Sequence, residues 1–244
     1  GSGFWYYQRD AFFSILNENG DSIIYSTYLG GSDNDVAHNL FVDPNKNVYI
    51  VGQTKSSNFY KSRGNPFMFN SSVKGGSDGF IVRFETDGTD TGTNIKYSYL
   101  FGGNGDESIE GVFANKKYEV YLAGYTSSSD LYTSSEAYQK NNKGGYDQFV
   151  LKIPSGGGVI NYSTYLGGSG DDYFRQSTGW WYTFPNIRVS ANIREEGIVC
   201  GISKSTDIPL QSMHYKQPIN RVLVAVRIGK PAPPLPNWTN WGAN

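Results

Sequence analysis

Residues 162–172 read Tyr162-Ser163-Thr164-Tyr165-Leu166-Gly167-Gly168-Ser169-Gly170-Asp171-Asp172. A β-prone aromatic run enters a glycine turn that closes on two adjacent carboxylates. Taken alone, the stretch admits three readings: an acid pair for catalysis, a set of ligands for a cation, or a turn held by its own side chains.

The same letters recur. Tyr25-Ser-Thr-Tyr-Leu-Gly-Gly-Ser-Asp-Asn-Asp35 is nearly identical, and Tyr97-Ser-Tyr-Leu-Phe-Gly-Gly-Asn-Gly-Asp-Glu107 is a middle copy. The leading glycines, Gly30, Gly102 and Gly167, stand 72 and then 65 residues apart. Two further segments keep the same phase. One is Asn47-Val-Tyr-Ile-Val-Gly-Gln-Thr54, then Glu119-Val-Tyr-Leu-Ala-Gly-Tyr-Thr126, with a weaker copy at Gly197–Ser203. The other is Gly75-Gly-Ser-Asp-Gly-Phe-Ile-Val-Arg-Phe84, then Gly144-Gly-Tyr-Asp-Gln-Phe-Val-Leu-Lys-Ile153, with degenerate relatives at Arg9–Leu16 and Asn220–Val226. Three segments recurring in fixed order make this a repeat protein.

Each unit reads as four strands. Leu40–Val42 and Val48–Val51 flank the turn-rich Asp43-Pro-Asn-Lys-Asn47, and Phe80–Phe84 and Ile95–Phe101 follow. The runs are short, β-branched or aromatic, and bounded by Gly, Asn, Asp and Ser. Asp130–Asn141 reads as a loop that could hold one helical turn. Repeated four-stranded antiparallel units are the pattern of a β-propeller blade, which buries its faces against the blades beside it. The paired glycines are expected to supply positive φ in the turns, and Gly52 and Gly124 to let a neighbouring blade come close.

The motifs "YSTYLGGSGDD", "NVYIVGQT" and "GGSDGFIVRF" resemble the SBBP β-propeller repeats over roughly residues 10–228. The resemblance implies an all-β propeller scaffold in a large secreted or cell-surface protein, commonly bacterial, and brings no catalytic motif. Units fall near residues 23–94, 95–158 and 159–228, with a partial unit at 1–22. The expected strand total is thirteen, about three blades. Because propellers close with four to eight, the chain is expected to be a partial propeller or a piece of a larger one. Residues 229–244, beginning Gly229-Lys-Pro-Ala-Pro-Pro-Leu-Pro236 and holding Trp238 and Trp241, read as a semi-rigid linker with an aromatic tail.

Composition narrows the function. A formal net charge of -1, from 21 basic and 22 acidic residues, offers no cationic excess for a nucleic-acid backbone. No apolar run is long enough for a membrane-spanning helix. The one cysteine, Cys200, rules out an internal disulfide framework and reads as a small core residue. The chain opens Gly1-Ser2-Gly3-Phe4 without Met or a leader, as a mature product or a piece of a longer chain would.

The carboxylates Asp33, Asp35, Asp106, Glu107, Asp171 and Asp172 come in pairs, one pair per unit. A glycosidase needs one special pair with split pKa values, so repetition argues against catalysis. The first reading is that they accept backbone N–H groups within the turns; a repeated calcium site is the second. His38 and His214 have no recurrent nucleophilic partner. The insert Gly179-Trp-Trp-Tyr-Thr-Phe-Pro185 breaks the repeat, and Trp180, Trp181, Tyr182 and Phe184 are candidate binding residues for a glycan or a protein. Trp5, Tyr6 and Tyr7 pose the same question. Sequons stand at Asn70, Asn161 and Asn237.

The sequence therefore leads to a non-enzymatic interaction module, extracellular or at the cell surface, serving adhesion, display or assembly with protein partners or other domains of its parent chain. The alternative is a carbohydrate-binding or carbohydrate-processing propeller. Neither nucleic-acid binding nor membrane insertion is expected, and calcium is the one cofactor that enters.

Overall fold

The computed structural model describes residues 8–60, 72–87, 89–90, 92–173, 176–178, 181–183, 187–191, 197–205, 207–208 and 222–228. These residues form strands and loops, with no helix among them.

The first sheet is a pair, β1 (Ala11–Leu16) and β2 (Ile23–Leu29). The second is an antiparallel meander of β3 (Asp35–Val42), β4 (Val48–Thr54), β5 (Asp78–Glu85) and β6 (Asn94–Phe101). The third repeats it with β7 (Glu107–Ala114), β8 (Val120–Thr126), β9 (Asp147–Ile153) and β10 (Tyr162–Leu166). A hairpin of β11 (Gln176–Thr178) and β12 (Trp181–Thr183) intervenes. Then come β13 (Arg188–Ala191), β14 (Gly197–Ser203) and β15 (Val222–Ile228). Apart from the hairpin, these are the two, four, four and three strands expected. The fold is all-β, with the four-stranded antiparallel sheets of a partial β-propeller. The sheets are phased one strand later than the units counted from the glycine turns, because each Tyr-Ser-Thr-Tyr-Leu strand closes a sheet rather than opening one.

Strand alternation sets the stacking. In β4, Val48 and Ile50 face β1–β2, where they meet Phe13 and Leu29; Tyr49 and Val51 face the β7–β10 sheet, where they meet Leu122 and Phe149. In β8, Val120 and Leu122 return that contact, while Tyr121 and Ala123 face Val189 and Val199 of the next sheet. Each central strand is thus apolar on both faces, as a strand between two blades must be. The opening strands stand side by side: Phe41 of β3 and Phe113 of β7 lie 5.1 Å apart by ring centroids, and β7 packs against β13.

The β3–β4 and β7–β8 hairpins are turned by the same device. Asp43 accepts the N–H groups of Asn45 and Asn47, each at 2.9 Å, and Asn115 accepts those of Lys117 and Glu119, each at 2.9 Å. These are Asx turns. They hold Lys46 and Tyr118 at φ 66 and 60, the left-handed region.

Two expectations about glycine change. Gly30, Gly102 and Gly167 are not among the residues with positive φ; they are small because a carboxylate packs against each. A Cβ on Gly102 would lie 2.5 Å from Asp78, and one on Gly167 would lie 2.4 Å from Asp147. Gly52 and Gly124 admit a strand of their own sheet rather than a neighbouring blade. A Cβ there would meet the carbonyl oxygens of Val36 and Ser108, each at 1.9 Å. Those carbonyls project where β3 and β7 bulge, between Ala37 and Asn39 and between Ile109 and Gly111.

Candidate functional site

The turn acids divide into two kinds. Asp35, Glu107 and Asp172 are equivalent and buried at 1%, 0% and 0% exposure. Their backbone N–H groups donate to the carbonyls of Arg9, Ser77 and Tyr146 of the preceding sheet. Their carboxylates accept the N–H of the second turn glycine: Gly31 at 2.8 Å, Gly103 at 2.7 Å and Gly168 at 2.5 Å. Each also accepts a serine hydroxyl from beyond the second strand: Ser56 at 2.6 Å, Ser128 at 2.5 Å and Ser205 at 2.9 Å. Thr126 adds a bond to Glu107, and Ser203 one to Asp172. Burial raises the pKa of Asp35 and Glu107, while these donors and the turn amide pull it back. This is the turn-amide reading of the carboxylates, met in each of the three units.

The second acids face outward. Asp106 and Asp171 occupy equivalent positions: the carbonyl of Asp106 accepts from Ser127 N–H, and that of Asp171 from Lys204 N–H. In the first unit Asn34, not Asp33, holds that place, its carbonyl accepting from Lys55 N–H. Asp33 stands one residue earlier, level with Gly105 and Gly170, and its carboxylate accepts from Asn34. The six acids therefore do not form three equal pairs. One acid per turn bonds inward to the scaffold, and its neighbour points elsewhere. Among the described residues, no group of three or more acid, His or Cys side chains is placed to hold a metal ion.

A second buried acid stands behind the second and third turns, Asp78 against Gly102 and Asp147 against Gly167, where the first turn has the exposed Asp10. Asp147 accepts Lys143 N–H at 2.9 Å and the Gln139 amide at 2.8 Å. Burial, with the nearby Asp172 carboxylate adding to it, pushes its pKa up to about 6.

His38 sits in the β3 bulge and Glu110 in the β7 bulge, with Nε2 and Oε1 3.6 Å apart. Ser108 donates to Glu110 at 2.6 Å, and the Asn39 amide donates to the Glu110 carbonyl at 3.1 Å. Burial pushes Glu110 up to about 7, against the pull of Arg188, and lowers His38 to about 4. In the third unit the chain between Tyr173 and Ile187, which carries β11 and β12, falls where β3 and β7 bulge. Trp180 and Phe184 lie outside the described residues, as do His214, Asn70, Asn237 and residues 1–7; of Trp181 and Tyr182 only the backbone is described, in β12. Cys200 is half-buried on β14. Asn161 is exposed just ahead of β10.

A cleft of about 320 Å³ opens beside the outward acids, where three successive sheets meet. Tyr125, Tyr146 and Tyr173 wall one side. Their ring centroids lie 3.9 Å apart for Tyr125–Tyr173, 5.3 Å for Tyr146–Tyr173 and 5.9 Å for Tyr125–Tyr146. Asp106 and Asp171 bring carboxylates, the latter 3.7 Å from the Lys204 ammonium. Asp106 accepts from Ser77 at 3.3 Å and from the Tyr146 hydroxyl at 3.5 Å. Tyr125 donates to Gln53 at 3.3 Å. Sequence reading passed over these tyrosines because they sit inside the repeat frame. The signal was substitution within that frame: Tyr125 and Tyr146 stand where the preceding unit has Gln53 and Ser77, and Tyr173 where it has Ser108.

Compared with known proteins, residues 24–60 match the family model of the SBBP beta-propeller repeat. The match spans β2 through β4, and so contains one whole turn with its buried acid, Asp35, and its serine, Ser56. No curated protein matches the chain. A β-propeller repeat points to a structural or interaction module.

Proposed function

We propose that this chain, which carries an SBBP β-propeller repeat, is a non-enzymatic interaction module of a large extracellular or cell-surface protein. Its work is adhesion, display or assembly with other surface proteins or with other domains of its parent chain, as in a bacterial secretion or gliding apparatus. One observation carries this reading. The buried acids that head the units are each engaged by the turn amide and serine that hold their own sheet, so the most repeated chemistry in the chain serves the scaffold. A carbohydrate-binding role is the second reading, and the tyrosine-walled cleft favours it.

The test has two arms. Intact source cells are treated with a protease, and the parent protein is followed with an antibody raised against this chain. Loss of the signal while a cytoplasmic marker survives is expected; full protection together with absence from the medium would overturn the location. The purified chain is then screened against glycoside, ester and peptide substrates. Turnover that disappears in Asp106→Asn would end the non-enzymatic reading.

A further inference from the structure

The cleft beside Tyr173 is not a by-product of blade stacking. Equivalent positions one junction earlier carry Gln53, Ser77 and Ser108, and the same strands pair in the same register there. The fold is thus satisfied by non-aromatic polar residues at these three places. At the later junction all three are tyrosine, converging within 6 Å of one another. Tyr146 and Tyr173 are only half-buried, so ring area stays open to a ligand.

The polar complement narrows the ligand. Two lysines, Lys55 and Lys204, balance Asp106 and Asp171 around the opening, so the cleft has no net charge with which to select a phosphate or a cation. What remains is a hydrogen-bonding ring of mixed sense. Carboxylate and amide oxygens accept, ammonium groups donate, and the tyrosine hydroxyls do both. Burial raises the pKa of Tyr125 and Tyr146, so both hydroxyls keep their protons at neutral pH. A pyranose has this complementarity: hydroxyls that donate and accept around its rim, and an apolar C–H face that lies on an aromatic ring. The volume is at the small end for ligand pockets and suits one or two sugar rings rather than a long chain.

We propose that this cleft is a binding subsite for a neutral saccharide unit, with Tyr173 and Tyr146 as its stacking wall and Asp106 as its principal acceptor of sugar hydroxyls. The assignment rests on the reading of the chain as a binding module.

The test is a glycan array carrying neutral, amino-sugar and acidic oligosaccharides, followed by calorimetric titration of the strongest hit against wild type, Tyr173→Ala, Asp106→Asn and Tyr138→Ala. Tyr138 is exposed and outside the cleft. Thermal melts show whether each variant is folded. Binding to neutral glycans is expected, at least about tenfold weaker in Tyr173→Ala and in the near-isosteric Asp106→Asn, and unchanged in Tyr138→Ala. A blank array overturns the saccharide assignment and leaves the interaction module standing. Binding that survives both cleft variants overturns it too, and a preference for acidic or amino-sugar glycans that both variants abolish overturns its neutral character. Cleavage of the bound glycan keeps the saccharide but overturns the non-enzymatic reading.

Discussion

Ser128 both receives and gives. Its hydroxyl accepts Gly105 N–H at 2.7 Å and donates to the Glu107 carboxylate at 2.5 Å. Ser56 does the same between Asp33 N–H and Asp35, and Ser205 between Gly170 N–H and Asp172. One hydroxyl thus ties the turn, the buried acid and the segment after the second strand into a closed polar unit. Removing it takes one of three donors from the buried Glu107 carboxylate and leaves the Gly105 amide without its acceptor. Ser128→Ala is expected to lower unfolding stability by about 2–3 kcal/mol, measured by urea denaturation. A loss below about 0.5 kcal/mol would show that the hydroxyl is dispensable.

Gly52→Ala and Gly124→Ala each drive a Cβ into a backbone carbonyl at 1.9 Å. No rotamer relieves that contact, so the bulged first strand must move. Each substitution is expected to destabilise by more than about 3 kcal/mol or to prevent folding. Gly156→Ala, with nothing within 4 Å of the added carbon, is the matched control and is expected to melt with the wild type. Equal melting of all three would mean that the bulge carbonyls do not fix these glycines.

The fold was largely legible because its signals are local and repeat. Val48-Tyr49-Ile50-Val51 and Val120-Tyr121-Leu122-Ala123 became β4 and β8, each apolar on both faces as stacked blades demand. The purpose of the glycines was not legible. Close approach of Asp78 to Gly102, or of Val36 to Gly52, depends on partners distant in sequence. The division of labour between Asp106 and Glu107 was equally hidden, because adjacent residues on a strand point to opposite sides. The tyrosine cleft was missed for a related reason: Tyr125, Tyr146 and Tyr173 are spread over three segments, and only sheet register brings them together.

His38 and Glu110 give the protein two opposed pH responses. Glu110 has a raised folded-state pKa, so its favourable contribution is present below the ordinary glutamate value of 4.5 and is lost as pH rises to about 7. His38 has a lowered one, so its contribution is present above 6.5 and is lost as pH falls to about 4. In the wild type the two trends offset one another. Glu110→Gln is therefore expected to gain on the wild type as pH rises from 4.5 to 7, and His38→Gln to gain on it as pH falls from 6.5 to 4. Each relative gain is expected to reach up to about 3 kcal/mol. Melting curves in a pH series check both signs, and parallel curves for variant and wild type would refute the two shifts.

Calcium is not expected to support the turns. The inward acids already accept turn amides and serine hydroxyls, so the carboxylate that a cation would need is in use. The melting temperature is expected to be the same in excess chelator and in millimolar calcium. A rise of several degrees with calcium would move the turn acids from hydrogen-bond acceptors to ligands.

Asp106 and Glu107 are adjacent and have opposite duties. The direct measurement is the unfolding free energy of Glu107→Gln beside that of Asp106→Asn, two near-isosteric changes one residue apart. Glu107→Gln replaces a buried acceptor of one amide and two hydroxyls, and is expected to cost about 2–4 kcal/mol. Asp106→Asn changes a half-buried group at the cleft, and is expected to cost less than about 1 kcal/mol. Equal losses, or the larger loss at Asp106, would contradict the assignment of one acid to the scaffold and the other to the binding face.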